Sequence, residues 1–136
     1  MIQYLADSSA IWRLLRDQHL GDAWAEEIDL RTIGSCAPHR AEFRRSARNV
    51  AEYEAMGEMF ADLYPDVPLP KGLWSWIEAA QYQLAKAGAV RAASPLDMII
   101  CGTAAHHGLI VLHDDRDFIT VAGVLPDVLQ RSVHER

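Results

Sequence analysis

Two rhythms of apolar positions alternate along the chain, and their alternation predicts the fold. Residues 2–6 form a short run that turns polar abruptly at Asp7, the pattern of a buried strand. Ser8 and Ser9 follow, and then Ile11, Leu14 and Leu15 line one stripe of a helix. Residues 20–29 keep the helical spacing through Leu20, Ala23, Trp24 and Ile28. Residues 31–36, with Thr32 and Ile33, favour a second strand. Pro38 suits an early helical position, which predicts a helix over 39–48. Helical spacing returns over 51–63 through Tyr53, Met56, Met59, Phe60 and Leu63. Pro65, Pro68 and Pro70 break it with a connecting loop too short to divide domains. Residues 73–87 predict another helix, with Gly88 as its C-cap residue.

The next stretch carries the clearest local signals. Ser94 is an N-cap, Pro95 occupies the first helical position and Asp97 the third. Gly108 closes that helix, and the run Leu109-Ile110-Val111-Leu112 predicts a buried parallel strand. His113 to Asp117 is the loop leaving the strand, with a short helix over 118–122 and a last edge strand over 125–129. Short apolar runs alternating with helices predict an α/β fold, a mostly parallel sheet covered on both faces. The length of 136 residues predicts one domain spanning 1–136.

Composition narrows the class. Half of the residues are apolar, as in globular proteins. No apolar run approaches the ~18 residues that span a bilayer, and the N-terminus lacks the basic start of a signal peptide. A cytoplasmic protein that avoids the membrane is the expectation. Cys36 and Cys101 lie in apolar surroundings and read as reduced core residues, without the further ligands that a zinc site needs. The net charge of −6 argues against a general nucleic-acid coat, but a nuclease can concentrate carboxylates at its metal site.

Asp7 and Asp115 follow the C-terminal ends of predicted strands, which a parallel sheet aligns along one edge where ligands bind. Asp97, at a helix N-terminus, can face that edge. Gathered carboxylates repel one another unless a cation compensates, and oxygen-only ligands suit Mg²⁺ or Mn²⁺. Taken singly, each acid has a plainer reading. Asp7 caps a helix, Asp97 serves a capping box, Glu42 lies on a solvated face among arginines, and Asp114, Asp115 and Asp117 form a solvated turn. His39, His106, His107 and His113 invite metal or acid–base roles, but His106 and His107 suit a helix C-terminus. The tryptophans Trp12, Trp24, Trp74 and Trp76 read as core or interface residues.

The motifs Leu5-Ala6-Asp7-Ser8-Ser9-Ala10, Glu42-Phe43 with Ser46-Ala47-Arg48, Pro95-Leu96-Asp97, and His113-Asp114-Asp115-Arg116-Asp117-Phe118 resemble those of PIN-domain ribonucleases. The closer likeness is to the VapC-type toxins of toxin–antitoxin pairs, in the same order over essentially the whole chain. The resemblance implies a three-layer α/β/α sandwich with a sheet of about five strands. It implies RNA cleavage dependent on Mg²⁺ or Mn²⁺. It assigns Asp7, Glu42, Asp97, Asp115 and Asp117 as the catalytic acids, all but Glu42 as metal ligands, and Ser9 as the hydroxyl supporting the site. It also implies a homodimer and a VapB-type antitoxin. His113 stands where Thr is common, and Arg44 and Arg45 where apolar residues are usual. Arg40, Arg44, Arg45 and Arg48 offer a basic patch for RNA phosphates or, equally, an exposed or dimer-facing surface.

Two other classes fit parts of the sequence. One is a PIN-like module that binds protein or RNA without catalysis, which has no need to gather like charges. The other is a receiver-like or phosphatase-like domain with Asp7 as phospho-acceptor, which lacks the second acid at the aspartyl-phosphatase spacing.

Overall fold

The computed structural model describes residues 1–135. Its sheet contains β1 (Tyr4–Ala6), β2 (Ile33–Gly34), β3 (Ile110–His113) and β4 (Leu129–Ser132). All pairings are parallel, in the order β2-β1-β3-β4. Before β2 come α1 (Ser8–Arg16), α2 (Gln18–Ala23) and α3 (Ala25–Asp29). Between β2 and β3 lie α4 (Ala37–Arg44), α5 (Val50–Leu63), α6 (Leu73–Lys86), a 3-10 turn at Val90–Ala92, and α7 (Pro95–His107); α8 (Asp117–Val124) precedes β4.

Strand alternation divides the core into two halves. Leu5 and Val111 point to one face, where they meet Ile77 and Leu84 of α6, Met98 and Ile100 of α7, and Phe118 and Val121 of α8. Tyr4, Ala6 and Leu112 point to the other, against Ile11 and Leu14 of α1, Trp24, Phe43 of α4 and Phe60 of α5. The expected three-layer sandwich is therefore present.

Two strand expectations need correction. The sheet has four strands among the described residues, not about five. Beyond β2 the chain makes only an isolated parallel bridge between Ser35 and Asp66. Pro65 and Pro68 flank that bridge and have no N–H with which to extend a ladder. The last strand is Leu129–Ser132, not 125–129. Leu125 and Val128 are buried in a turn, closed by the Val128 N–H donating to the Leu125 carbonyl at 3.1 Å. Among the described residues, no helix is long and apolar enough to cross a membrane.

Helix α7 follows its sequence signals closely. Ser94 Oγ accepts from the Asp97 N–H, and Asp97 Oδ2 accepts from the Ser94 N–H, both at 3.1 Å. Gly108 ends the helix with φ of +69°, a left-handed conformation that glycine adopts without strain. Helices α6 and α7 approach so closely at Gly102 that an added Cβ would lie 2.6 Å from Leu73 Cδ1.

Candidate active site

The chain leaves β1 toward β2 on one side and returns to β3 on the other, so the strand order switches between β1 and β3. In open parallel sheets, the crevice beyond such a switch point is where ligands bind. Asp7 follows β1 there, and its backbone N–H donates to the Leu112 carbonyl of β3 at 2.9 Å. The loop of residues 114–116 follows β3 at the same edge.

Asp7 is both the helix cap and a member of the acid group. It is the N-cap of α1, with Oδ2 accepting the Ser9 backbone N–H at 3.1 Å. Ser9 Oγ donates to the same Oδ2 at 2.6 Å and accepts the Asp114 N–H at 2.9 Å. At 7% exposure Asp7 is nearly withdrawn from solvent, and the positive end of the α1 dipole favours its charge.

Asp97 occupies the start of α7, half-buried. Burial raises its pKa, and the charges of Asp7 and Asp115 push it further, against the lowering effect of the Ser94 N–H. Asp97 thus lies within reach of the charges of both Asp7 and Asp115. Asp115 is held by its loop: its N–H donates to His113 Nδ1 at 3.1 Å, and its Oδ1 accepts the Asp117 N–H at 2.9 Å. Asp117 opens α8 and is exposed, joined to the group through that backbone contact. Glu42 is exposed on α4, and its charge acts on the buried His39 ring and not on the acids directly. The edge therefore gathers Asp7, Asp97 and Asp115, with Asp117 beside Asp115.

Among the described residues, no three His, Cys, Asp or Glu donors are already arranged to hold a metal ion. The donor chemistry nevertheless fits Mg²⁺ or Mn²⁺. The candidate donors are all carboxylate oxygens, gathered like charges favour a cation, and Mg²⁺ commonly takes only one or two carboxylates and keeps its waters.

The arginine patch divides in two. Arg40 donates to the Ser35 carbonyl at 2.9 Å and to Asp66 Oδ1 at 2.8 Å. Arg44 donates to the Tyr53 carbonyl at 3.0 Å and lies 3.7 Å over the Tyr53 ring centre. Arg48 pairs with Glu52 at 3.1 Å. Arg40 and Arg44 join elements, while Arg45 and Arg48, the latter 85% exposed in its pair with Glu52, fit the exposed reading.

Other contacts at this edge join segments remote in sequence. Arg13 donates to Asp114 Oδ2 at 2.9 Å, and His134 Nε2 lies 3.0 Å from Oδ1. Burial raises the Asp114 pKa, but Arg13 and His134 outweigh it and hold the carboxyl below its ordinary value. His39 faces Asp7 from α4, with Nε2 3.5 Å from Oδ1. Its sequence hint is its place three residues before Glu42 on α4. His107 is away from the group, 2.8 Å from the Pro68 carbonyl. Trp24 is a core residue, while Trp12 stacks on Phe43 at 3.9 Å between ring centres.

The PIN domain family model matches residues 4–124. Ribonuclease VapC6 of Mycobacterium tuberculosis is 56% identical over 103 residues, covering 76% of this chain and 81% of that protein. Ribonuclease VapC21 of the same organism is 30% identical over 124 residues, covering 90% and 88%. Among solved structures, VapBC-1 from nontypeable Haemophilus influenzae superposes with a TM-score of 0.78 at 13% identity, covering 99% of this chain and all of that one. At that identity the superposition speaks for the fold alone.

Proposed function

This chain belongs to the PIN-domain family, among its VapC-type ribonucleases, and from that premise we propose that it is a metal-dependent endoribonuclease. The observation that carries this reading is the placement of Asp7 and the Asp115 loop side by side at the switch point of the sheet, with Asp97 within reach of both charges. We further propose that it acts in the cytoplasm as the toxin of a type II pair, as a homodimer restrained by a VapB-type antitoxin. The 136 residues would work as one PIN-like domain.

Asp7, Asp97, Asp115 and Asp117 are the proposed ligands of Mg²⁺ or Mn²⁺, with Glu42 as a further acid at the rim. When bound, the cation would supply a water that loses its proton near neutral pH and a positive charge against the phosphate. The chain's own residues do the rest. Ser9 aims Asp7 and holds the 114–116 loop beside it. The capping box leaves Asp97 Oδ1 outside its own contacts, available to the site. A carboxylate at the rim, Glu42 or Asp117, can take a proton from the attacking water or orient it.

The test is cleavage of total cellular RNA by the purified protein in Mg²⁺, in Mn²⁺ and in EDTA, beside Asp97→Asn and Asp7→Asn. Discrete fragments that require metal and vanish in both variants are expected. Variants as fast as the parent would put the site elsewhere. Tight RNA binding with no turnover in any metal would mark a binding module instead.

A further inference from the structure

The side of Asp7 turned away from Ser9 meets a residue that the proposed reaction does not use. His39 lies in the first turn of α4 and is 3% exposed. Its Nε2 is buried without a hydrogen-bond partner and sits 3.5 Å from Asp7 Oδ1. Its Nδ1 is 3.2 Å from the Cys36 sulfur. Its carbonyl accepts from Ser8 Oγ at 3.3 Å, which fastens α4 to the residue after Asp7 independently of the ring.

Proton placement follows from these surroundings. Burial pushes the Cys36 thiol up to about 11, so the sulfur keeps its proton and can donate it to Nδ1. Nε2, on the opposite side of the ring, faces a carboxylate oxygen, which can only accept. A neutral ring that accepts at Nδ1 carries its single proton on Nε2. A buried N–H needs an acceptor, and Asp7 Oδ1 lies directly before it.

We propose that His39, set in its Nε2-protonated form by Cys36, is a positioning residue that fixes Asp7 Oδ1 while Ser9 fixes Oδ2. This rests on the reading of Asp7 as a cation ligand. Outer partners of this kind orient a ligand and raise its basicity, and losing one typically weakens metal binding by about 10- to 100-fold. The present 3.5 Å is longer than a good hydrogen bond, and contacts of this sort tighten in the working complex.

The test compares the parent with His39→Gln, which keeps an N–H donor near the Nε2 position, and His39→Leu, which fills the space without one. Manganese chloride affinity is measured by titration calorimetry, with thermal unfolding to confirm the fold. Nitrogen-15 NMR of the metal-free parent reads the His39 tautomer, alone and with Asp7→Asn. Weakening by about 10- to 100-fold in His39→Leu, with recovery in His39→Gln, is expected. So is an Nε2–H resonance that moves when Asp7 is replaced. A ring protonated on Nδ1 would overturn the proposal. So would His39→Leu binding Mn²⁺ like the parent while Asp7→Asn does not. If His39→Leu fails to fold, the Gln variant and the spectrum decide. If the parent binds no Mn²⁺, the cation reading fails, and the tautomer with its response to Asp7→Asn decides whether His39 holds Asp7. Mn²⁺ binding that depends on His39 without RNA cleavage would remove the nuclease reading and leave the positioning role standing.

Discussion

Ser9 donates its hydroxyl proton to Asp7 Oδ2 across 2.6 Å, while its oxygen accepts the backbone N–H of Asp114 at 2.9 Å. One hydroxyl thus ties the acid after β1 to the loop after β3, two segments more than a hundred positions apart in sequence.

Ser9→Ala removes both contacts and leaves the Asp114 N–H without its partner. A cost of about 1–3 kcal/mol is expected from the unsatisfied group. Cleavage should fall more steeply than stability alone explains, because Asp7 and the Asp115 loop lose their common anchor. Thermal unfolding and turnover measured on the same preparation separate the two effects, and unchanged turnover would show that Ser9 does not anchor the site.

Asp97 gives a pH signature. Its folded pKa is raised, so the folded state holds the proton more tightly than the unfolded chain. Stability therefore falls as pH rises from the ordinary carboxylate value through the raised one, and the penalty is fully present above the raised value. Asp97→Asn should stabilise the metal-free protein at pH 7 by roughly 1–3 °C, a small effect because the group is half-exposed and screened by solvent. The gain should vanish below the carboxylate range. Added Mn²⁺ should reverse the ranking, since mass action stabilises the parent and not the variant. Melting curves against pH, with and without Mn²⁺, test both statements.

Arg44 should matter to stability and not to RNA. Its guanidinium lies on the Tyr53 ring, in space that Gly57 leaves open by lacking a side chain. Arg44→Ala is expected to cost about 1–2 kcal/mol through lost packing and the lost bond to the Tyr53 carbonyl. The slope of log binding constant against log salt should stay as in the parent. A slope smaller by about one would reveal a phosphate contact after all.

Gly102→Ala tests the close approach of α6 and α7. The new Cβ would lie 2.6 Å from Leu73 Cδ1 and 2.7 Å from Trp76 Cε3. Overpacking costs about 1–3 kcal/mol, only partly offset by a gain of about 1 kcal/mol in helix propensity. A lower melting temperature with altered Trp76 fluorescence is expected, because the Trp76 ring also holds Asp127 Oδ2 at 2.9 Å.

The sequence was most legible where a signal was local. The abrupt polar turn at Asp7, the capping box at Ser94 and Asp97, and the apolar run before His113 each occupy a few adjacent residues. A parallel sheet then brings the neighbouring acids to one edge. What escaped depends on partners remote in the chain. β4 reads Leu-Gln-Arg-Ser, a polar edge strand defined by pairing with β3 and not by its own hydrophobicity. Arg40 and Arg44 look like part of a solvated patch until the carbonyls and the ring they serve are in place. His39 was visible as a residue, but its meeting with Asp7 depends on α4 packing against the β1–α1 junction.

The order of the strands has a genetic consequence. The proposed acids begin at residue 7 and end at residue 117, because β1 delivers Asp7 at the outset and β3 delivers Asp115 and Asp117 only after the long excursion through β2 and α4–α7. No early stop codon or frameshift within that interval spares the complete set. Where expression of the chain arrests growth, survivors should carry lesions scattered along the reading frame instead of clustered at a few codons.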